Sequence, residues 1–245
     1  NKALAGLRIL ERDTRTAVPE RTAAIVVFFE EYLTQARMKL FLSTLASGQI
    51  RAGAGDIFSF FSVQHPKNIP LMISSLPLIT SATVRRQVLD GVVLLAGMSC
   101  EHFVPHLSSS DPTLIVDMLY ALGRIGTDEA AMHLLAASTH PQASVKVAAL
   151  AALRKQHSGA IASRMIAALS DVDAAVRAEG LRHLAHARDR TAVDALRALI
   201  VSRNFSDFAL DEKKRIFTAL GMIAGASVVP LFREHLFAKA LLNKQ

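Results

Sequence analysis

Apolar residues recur through residues 111–199 in two interleaved series that share one spacing. Leu119 and Leu122, Leu150 and Leu153, and Leu181 and Leu184 form the first series, at intervals of 31 residues. Ala130 and Leu134, Ile161 and Met165, and Ala192 and Leu196 form the second at the same interval. A separation of three or four puts both members of a pair on one helical face, so each unit contains two amphipathic helices. The break Gly123-Arg124-Ile125-Gly126-Thr127-Asp128 separates them. Two helices per period predict an all-α chain, an α-solenoid of about five to six helical hairpins stacked in a right-handed sense.

The spacing extends in both directions. Val84, Val88, Leu89 and Val92 predict the first helix of an upstream unit, and Phe103, Val104 and Leu107 its second. Downstream, Leu220 follows Leu184 at 36 residues, and the extra length falls in Asn204 to Asp211, a loop that Phe205 and Phe208 are expected to pin. Ser108-Ser109-Ser110-Asp111-Pro112, His140-Pro141 and Ser170-Asp171 lie between units and offer capping side chains and prolines where helices begin. Nearer the N-terminus, Asp56 is an expected N-cap for a helix through Ile57, Phe58 and Phe61, which ends at His65-Pro66 and is followed by a second around Ile69 to Leu76. Ala23 to Leu45 runs without a breaker, and its apolar residues, among them Phe28, Phe29, Leu33, Met38, Phe41 and Leu42, exceed one stripe, so it should pack on two sides. Leu4, Leu7, Ile9 and Leu10 permit a short amphipathic helix before it. The expected organisation is an N-terminal helical segment at residues 1–51, packed on one continuous repeat array at residues 52–245. Leu119, Leu122, Leu134, Leu150, Leu153, Met165, Leu181, Leu184, Leu196, Leu220 and Phe232 are the expected core.

Composition agrees with this reading: 51% of the residues are hydrophobic, enough to build a continuous core. A formal net charge of +7 favours weak attraction to acidic partners or nucleic acid without specifying either. The single cysteine, Cys100, cannot form an internal disulfide, and a cytoplasmic protein is expected. The longest uncharged stretch, Asn68 to Val84, is interrupted by Pro70 and Pro77, so no membrane insertion is expected. The chain begins at Asn1 and is expected to be part of a longer protein.

Ala121-Leu122-Gly123-Arg124-Ile125-Gly126-Thr127 and Ala219-Leu220-Gly221-Met222-Ile223 resemble the bacterial HEAT repeats of the phycobilisome-lyase type. Val176-Arg177 stands where such repeats usually carry Val-Arg, and Val145-Lys146 is a close variant. Arg154-Lys155-Gln156-His157 and Ala185-His186-Ala187-Arg188 lack the glycines, so those helix ends should differ. The resemblance covers about residues 52–245 and implies a curved stack whose second helices line the concave face. It implies no single activity, because this architecture hosts adaptors, lyases, hydroxylases and DNA-repair enzymes.

Candidate chemistry is sparse. His102 and His106, four apart beside Glu101, could share a helical face as metal ligands do, but Pro105 interrupts that helix and no third ligand cluster completes a site. Repeat-built hydroxylases use His-Glu pairs, whereas this chain has Glu101-His102 and Glu234-His235. No metal and no cofactor are expected. Arg182, Arg188, Arg190 and Arg197, with His183 and His186, form the densest basic patch and could contact phosphates, although Glu179, Asp189 and Asp194 lie among them. A nucleic-acid-binding protein similar to HEAT-like repair glycosylases is therefore the alternative reading, as is a lyase of the bilin-lyase type. Against the former, the chain has no tryptophan and two tyrosines, Tyr32 and Tyr120. Arg85, Lys146, Arg177 and Lys213 recur at one repeat position and are expected to pair with turn carboxylates such as Asp111 or Asp171. Cys100 falls on a buried stripe.

The preferred expectation is a non-enzymatic scaffold or adaptor that binds another protein. First helices should present charge to water through Asp117, Arg124, Lys155, Glu179, His183 and His186. Second helices carry Met132 and Ala136, Ser163 and Ala167, and Asp194 and Ala198, followed by Pro230 and Glu234. Small side chains allow close approach of another backbone, so this inner column is the expected seat of a partner helix or peptide, with Arg164, Arg197 and Arg233 at its margin.

Overall fold

Ser81, Asp111, Ser158 and Asp173 each close the first turn of a helix with a side-chain oxygen, whereas the helices that follow Asn68, Gln142, Ala192 and Ala209 start without a side-chain cap. The computed structural model describes residues 35–47, 64, 66–156 and 158–234. Among them every regular element is helical and none is a strand. In order these are α1 (Gln35–Ala46), α2 (Ile69–Ser75), α3 (Ala82–Ala96), α4 (Pro112–Ile125), α5 (Asp128–Ala137), α6 (Ala143–Ala152), α7 (Gly159–Ala168), α8 (Ala174–Ala187), α9 (Val193–Val201) and α10 (Leu210–Ala224), joined by short 3-10 turns. The chain divides into two compact units between Ala130 and Ala131, within α5. The expectations for residues 1–34, 48–63, 65 and 235–245, and for the Leu42 side chain, lie outside the described residues.

In the first unit α2 packs on α1 and α3, and α3 packs on α4. Ser81 caps α3, and Asp111 caps α4 by accepting from the Thr113 N–H at 2.9 Å, with Pro112 fitting the first turn, where no amide hydrogen is needed. Val88, Leu89, Val92, Met118, Leu119 and Leu122 are fully buried between these helices. The expected helix around Phe103 is instead a turn followed by the 3-10 segment Val104–Ser108. Pro105 lies in its first turn and has no amide hydrogen for an α-helical bond, while Phe103 alone is buried as an anchor.

In the second unit α8 packs against α6, α7 and α10, and α10 also packs on α9. The α7–α8 approach is close because α8 carries Gly180 at the crossing: a Cβ there would lie 2.8 Å from the Met165 carbonyl oxygen and 2.9 Å from the Ala168 Cβ. Leu150, Leu153, Met165, Leu184 and Leu196 are completely buried and Leu181 nearly so, as the 31-residue spacing requires, and Leu220, at the longer step, is completely buried too. Phe232 is only half-buried, because its ring covers Phe217 edge-on at 5.3 Å instead of entering the core. Phe205 and Phe208 do pin the longer loop: their rings meet edge-on at 5.8 Å, and Phe205 also meets Phe217 at 5.9 Å.

Helix ends show where the repeat varies. Gly126 ends α4 at φ 69°, and 62 residues on Arg188 ends α8 at φ 49°, a left-handed turn made without glycine. For a side-chain-bearing residue that conformation costs roughly 1–2 kcal/mol. Helix α6 tightens into the 3-10 turn Leu153–Lys155. Two expected caps are displaced. Asp173, not Ser170 or Asp171, caps α8, accepting from Ala175 at 2.8 Å, because Asp171 is engaged by Lys146. At His140-Pro141 the helix begins later, at Ala143, after the His140 Nδ1 accepts from the Gln142 N–H at 3.1 Å.

Candidate protein-binding faces

The cations that recur at one repeat position are structural, although Lys213 bonds a carbonyl instead of the expected carboxylate. Lys146 Nζ reaches Asp171 Oδ2 at 2.5 Å, and Lys213 donates to the Ser206 carbonyl at 2.6 Å. Arg177 forks onto both oxygens of Glu212 at 2.6 and 2.8 Å, also donates to the carbonyls of Asp171 and Val172, and stacks over Phe208 at 4.4 Å. This carboxylate fork raises the Arg177 pKa still further despite the opposing effect of burial. For Asp171, burial pushes the pKa up, but the Lys146 hydrogen bond, the Asp173 N–H and the nearby cations outweigh it and hold it below the ordinary carboxylate value.

Three residues expected on a water-facing surface are in the interior instead. Asp117 is 6% exposed, Glu179 2% and His183 3%. For the two carboxylates the reason is pairing with arginines distant in sequence, which hydrophobic spacing does not register. Arg85 contacts Asp117, Nε to Oδ2 at 3.2 Å, rather than Asp111. Glu179 sits between Arg154, at 2.6 Å, and Arg182. Burial dominates at Asp117 and raises its carboxyl pKa above the ordinary value even though Arg85 and Arg86 pull it down. The expected basic patch is therefore not one face: Arg182, His186, Arg188 and Arg190 are exposed, His183 is in the core, and Arg197 is half-buried with Nη2 3.5 Å from the Ser227 carbonyl.

The chemistry around the remaining candidates is quiet. Cys100 is buried with Sγ 3.8 Å from Thr127 Oγ1, and burial raises its thiol pKa, so it behaves as a small core residue. His102 and His106 lie on the turn and the 3-10 segment around Phe103 and not on an α-helix. No group of three His, Cys, Asp or Glu side chains among the described residues converges as a metal site would require. Tyr120 donates to Asp90 at 2.8 Å beneath the Arg86 guanidinium, which lies 4.0 Å from its ring centre.

On the second helices of the second unit the outer residues form two rows. Met132, Ser163 and Asp194 succeed one another at 31 residues on α5, α7 and α9, as do Ala136, Ala167 and Ala198, and all six are exposed. Each row lies opposite the buried Leu134, Met165 and Leu196. Met132 is 64% exposed, a long apolar side chain left in water. Arg233 is also exposed, but Arg164 is not a free marginal charge. Its Nε donates to Ser138 Oγ at 2.7 Å and its Nη2 to the Ser138 carbonyl, so it ties α7 to the end of α5.

A second feature had no counterpart in the hydrophobic pattern. Between α8 and α10 runs an open groove of about 440 Å³, floored by Ala178, Leu181, Ala185, Ala219 and Met222. Arg182, Lys214 and Arg215 line it as well. Elsewhere, the run Leu210–Glu234 is long and apolar enough to cross a membrane by length and composition. Within it, Gly225 turns out of the helix at φ 61°, and Ile216, Leu220, Ile223 and Val228 are buried in the protein.

No family model matches the chain, and no curated protein does. Among solved structures, the chain is similar to a crystal structure of an engineered protein, with 18% sequence identity, a TM-score of 0.43, and coverage of 89% of this chain and 96% of that one.

Proposed function

We propose that the hairpins are HEAT-like units of an α-solenoid and that the chain is a non-enzymatic scaffold that binds a helix or extended peptide of another protein across its second helices. The observation carrying this reading is the exposed double row on α5, α7 and α9, in which three alanines recur at 31 residues while one large apolar side chain, Met132, remains in water. Small side chains let a partner backbone come close, and a methionine adapts to the shape of what it meets. The recurring cations Arg85, Lys146 and Arg177, with Arg154, are occupied by internal carboxylates and so form no free track for a ligand. We read Leu210–Glu234 as part of the folded second unit and not as a membrane span, because Ile216, Leu220, Ile223 and Val228 within it are buried in the protein and Gly225 turns the chain out of the helix.

Site-specific photocrosslinking tests the assignment. A photoreactive residue replacing Ala167 should form one dominant protein adduct in extract of the source cell, and the same residue at the exposed Lys155 on the first-helix side should not. Equal adducts from both positions, or turnover of damaged DNA or a tetrapyrrole that a point mutation abolishes, would contradict it.

A further inference from the structure

The groove between α8 and α10 lies on the side of α8 away from its close approach to α7. Gly180 draws α8 onto α7. Ala178, Leu181, Arg182 and Ala185 lie on the opposite side of the helix at a period of 3.6 residues and face the groove. The floor consists of methyl groups, a leucine and the thioether of Met222, which is 52% exposed. The ionised side chains among its lining residues are all positive: Arg182, Lys214 and Arg215. The acids nearby cancel them only in part. Glu179 is shared between Arg154 and Arg182, Glu212 is held by Arg177, and the exposed Asp211 is 3.7 Å from Lys214, a contact that water screens. Arg215 makes no ion pair among the described residues.

We infer that this groove is a second docking surface, on the first helices, for an acidic amphipathic helix of a partner protein, which would make the chain a two-sided adaptor. The groove follows α8 from Ala178 to Ala185, about two turns, so an incoming helix would lay three apolar residues at i, i+4 and i+7 on the floor. Its flanking carboxylates would then meet Arg182 on one side and Lys214 and Arg215 on the other. A nucleic acid fits less well. No aromatic side chain lines the groove to stack a base, and a phosphate chain held by Arg182, Lys214 and Arg215 would leave the apolar floor uncovered.

The test uses the full chain and a designed fluorescent peptide with leucine at i, i+4 and i+7 and glutamate on both flanks. Its comparators are the same peptide with serine for leucine and a fluorescent single-stranded oligonucleotide, all followed by anisotropy at about 0.15 M salt, where only short-range charge contacts persist. The acidic leucine peptide should bind. Lys214→Glu with Arg215→Glu should weaken it by about tenfold or more, Met222→Asp should also weaken it, and Ala167→Glu with Ala198→Glu should leave it unchanged. All of these positions are exposed, and circular dichroism checks that each variant stays helical. Equal binding of the serine peptide, tighter binding of the oligonucleotide, indifference to charge reversal, or loss through the alanine pair would each overturn the inference. The last result would place the peptide on the second-helix face, leaving the proposed function standing and the second surface refuted.

Discussion

Helices α4 and α8 lie 62 residues apart in the repeat and are 14 residues long, and nearly every position that defines their ends corresponds. Asp111 and Asp173 cap them in the same way, Gly126 and Arg188 end them in the same left-handed turn, and Asp117 and Glu179 bury a carboxylate at the same point. They differ one residue later, where α4 has the fully buried Met118 and α8 has Gly180. A large side chain holds neighbouring helices at ordinary separation, and its absence lets one neighbour approach within direct backbone contact. Capping and burial pattern thus specify that a helix forms and which face it hides. The size of one interior residue decides how closely it sits against a neighbour.

Making α8 resemble α4 at that position should have the largest effect. Gly180→Met would drive a side chain into the Met165 carbonyl and the Ala168 methyl, and should destabilise the second unit by about 3 kcal/mol or prevent its folding. Urea unfolding measures this, and a loss below about 1 kcal/mol would mean that the α7–α8 crossing is looser than described.

The two buried acids sharpen the comparison further. Glu179 has two arginines, so Glu179→Gln, which weakens both charged hydrogen bonds, should cost about 2 kcal/mol. Asp117→Asn should cost less than about 1 kcal/mol at neutral pH, because burial already disfavours its charge and Asn keeps an acceptor for Arg85. The sign of the pH effect follows. With its folded pKa above the ordinary 3.8, native Asp117 holds its proton more tightly than the unfolded chain does, so its contribution to stability falls as pH rises through that window and is constant above it. The asparagine variant should lose that slope. An unchanged slope would assign it to another group.

Much of this fold was legible in the sequence because it rests on local, periodic chemistry: leucine pairs at 31 residues, Asp111-Pro112 as a helix start, and phenylalanines on the longer loop. What was not legible depends on partners distant in sequence. Asp117 and Glu179 look like surface residues until Arg85 and Arg154 are brought to them from the preceding hairpins. Arg164 looks like a free charge until Ser138 is seen to hold it, and the groove exists only where the fold brings α8 and α10 together. Around Phe103 the signal was present and misweighted, since Pro105 decides the local geometry over the apolar spacing. The exposed rows on α5, α7 and α9 follow directly from the positions of the buried residues opposite them.

The central claim is that those rows receive a partner, and one comparison of capture tests it most directly. Ala167→Glu with Ala198→Glu places two carboxylates on an exposed face without touching a buried residue, so helicity and unfolding temperature should stay close to those of the parent chain. The partner identified by crosslinking, applied as a purified protein, should then be captured by the parent and lost by the folded double variant. Undiminished capture by that variant would show that the second-helix face is not the binding site.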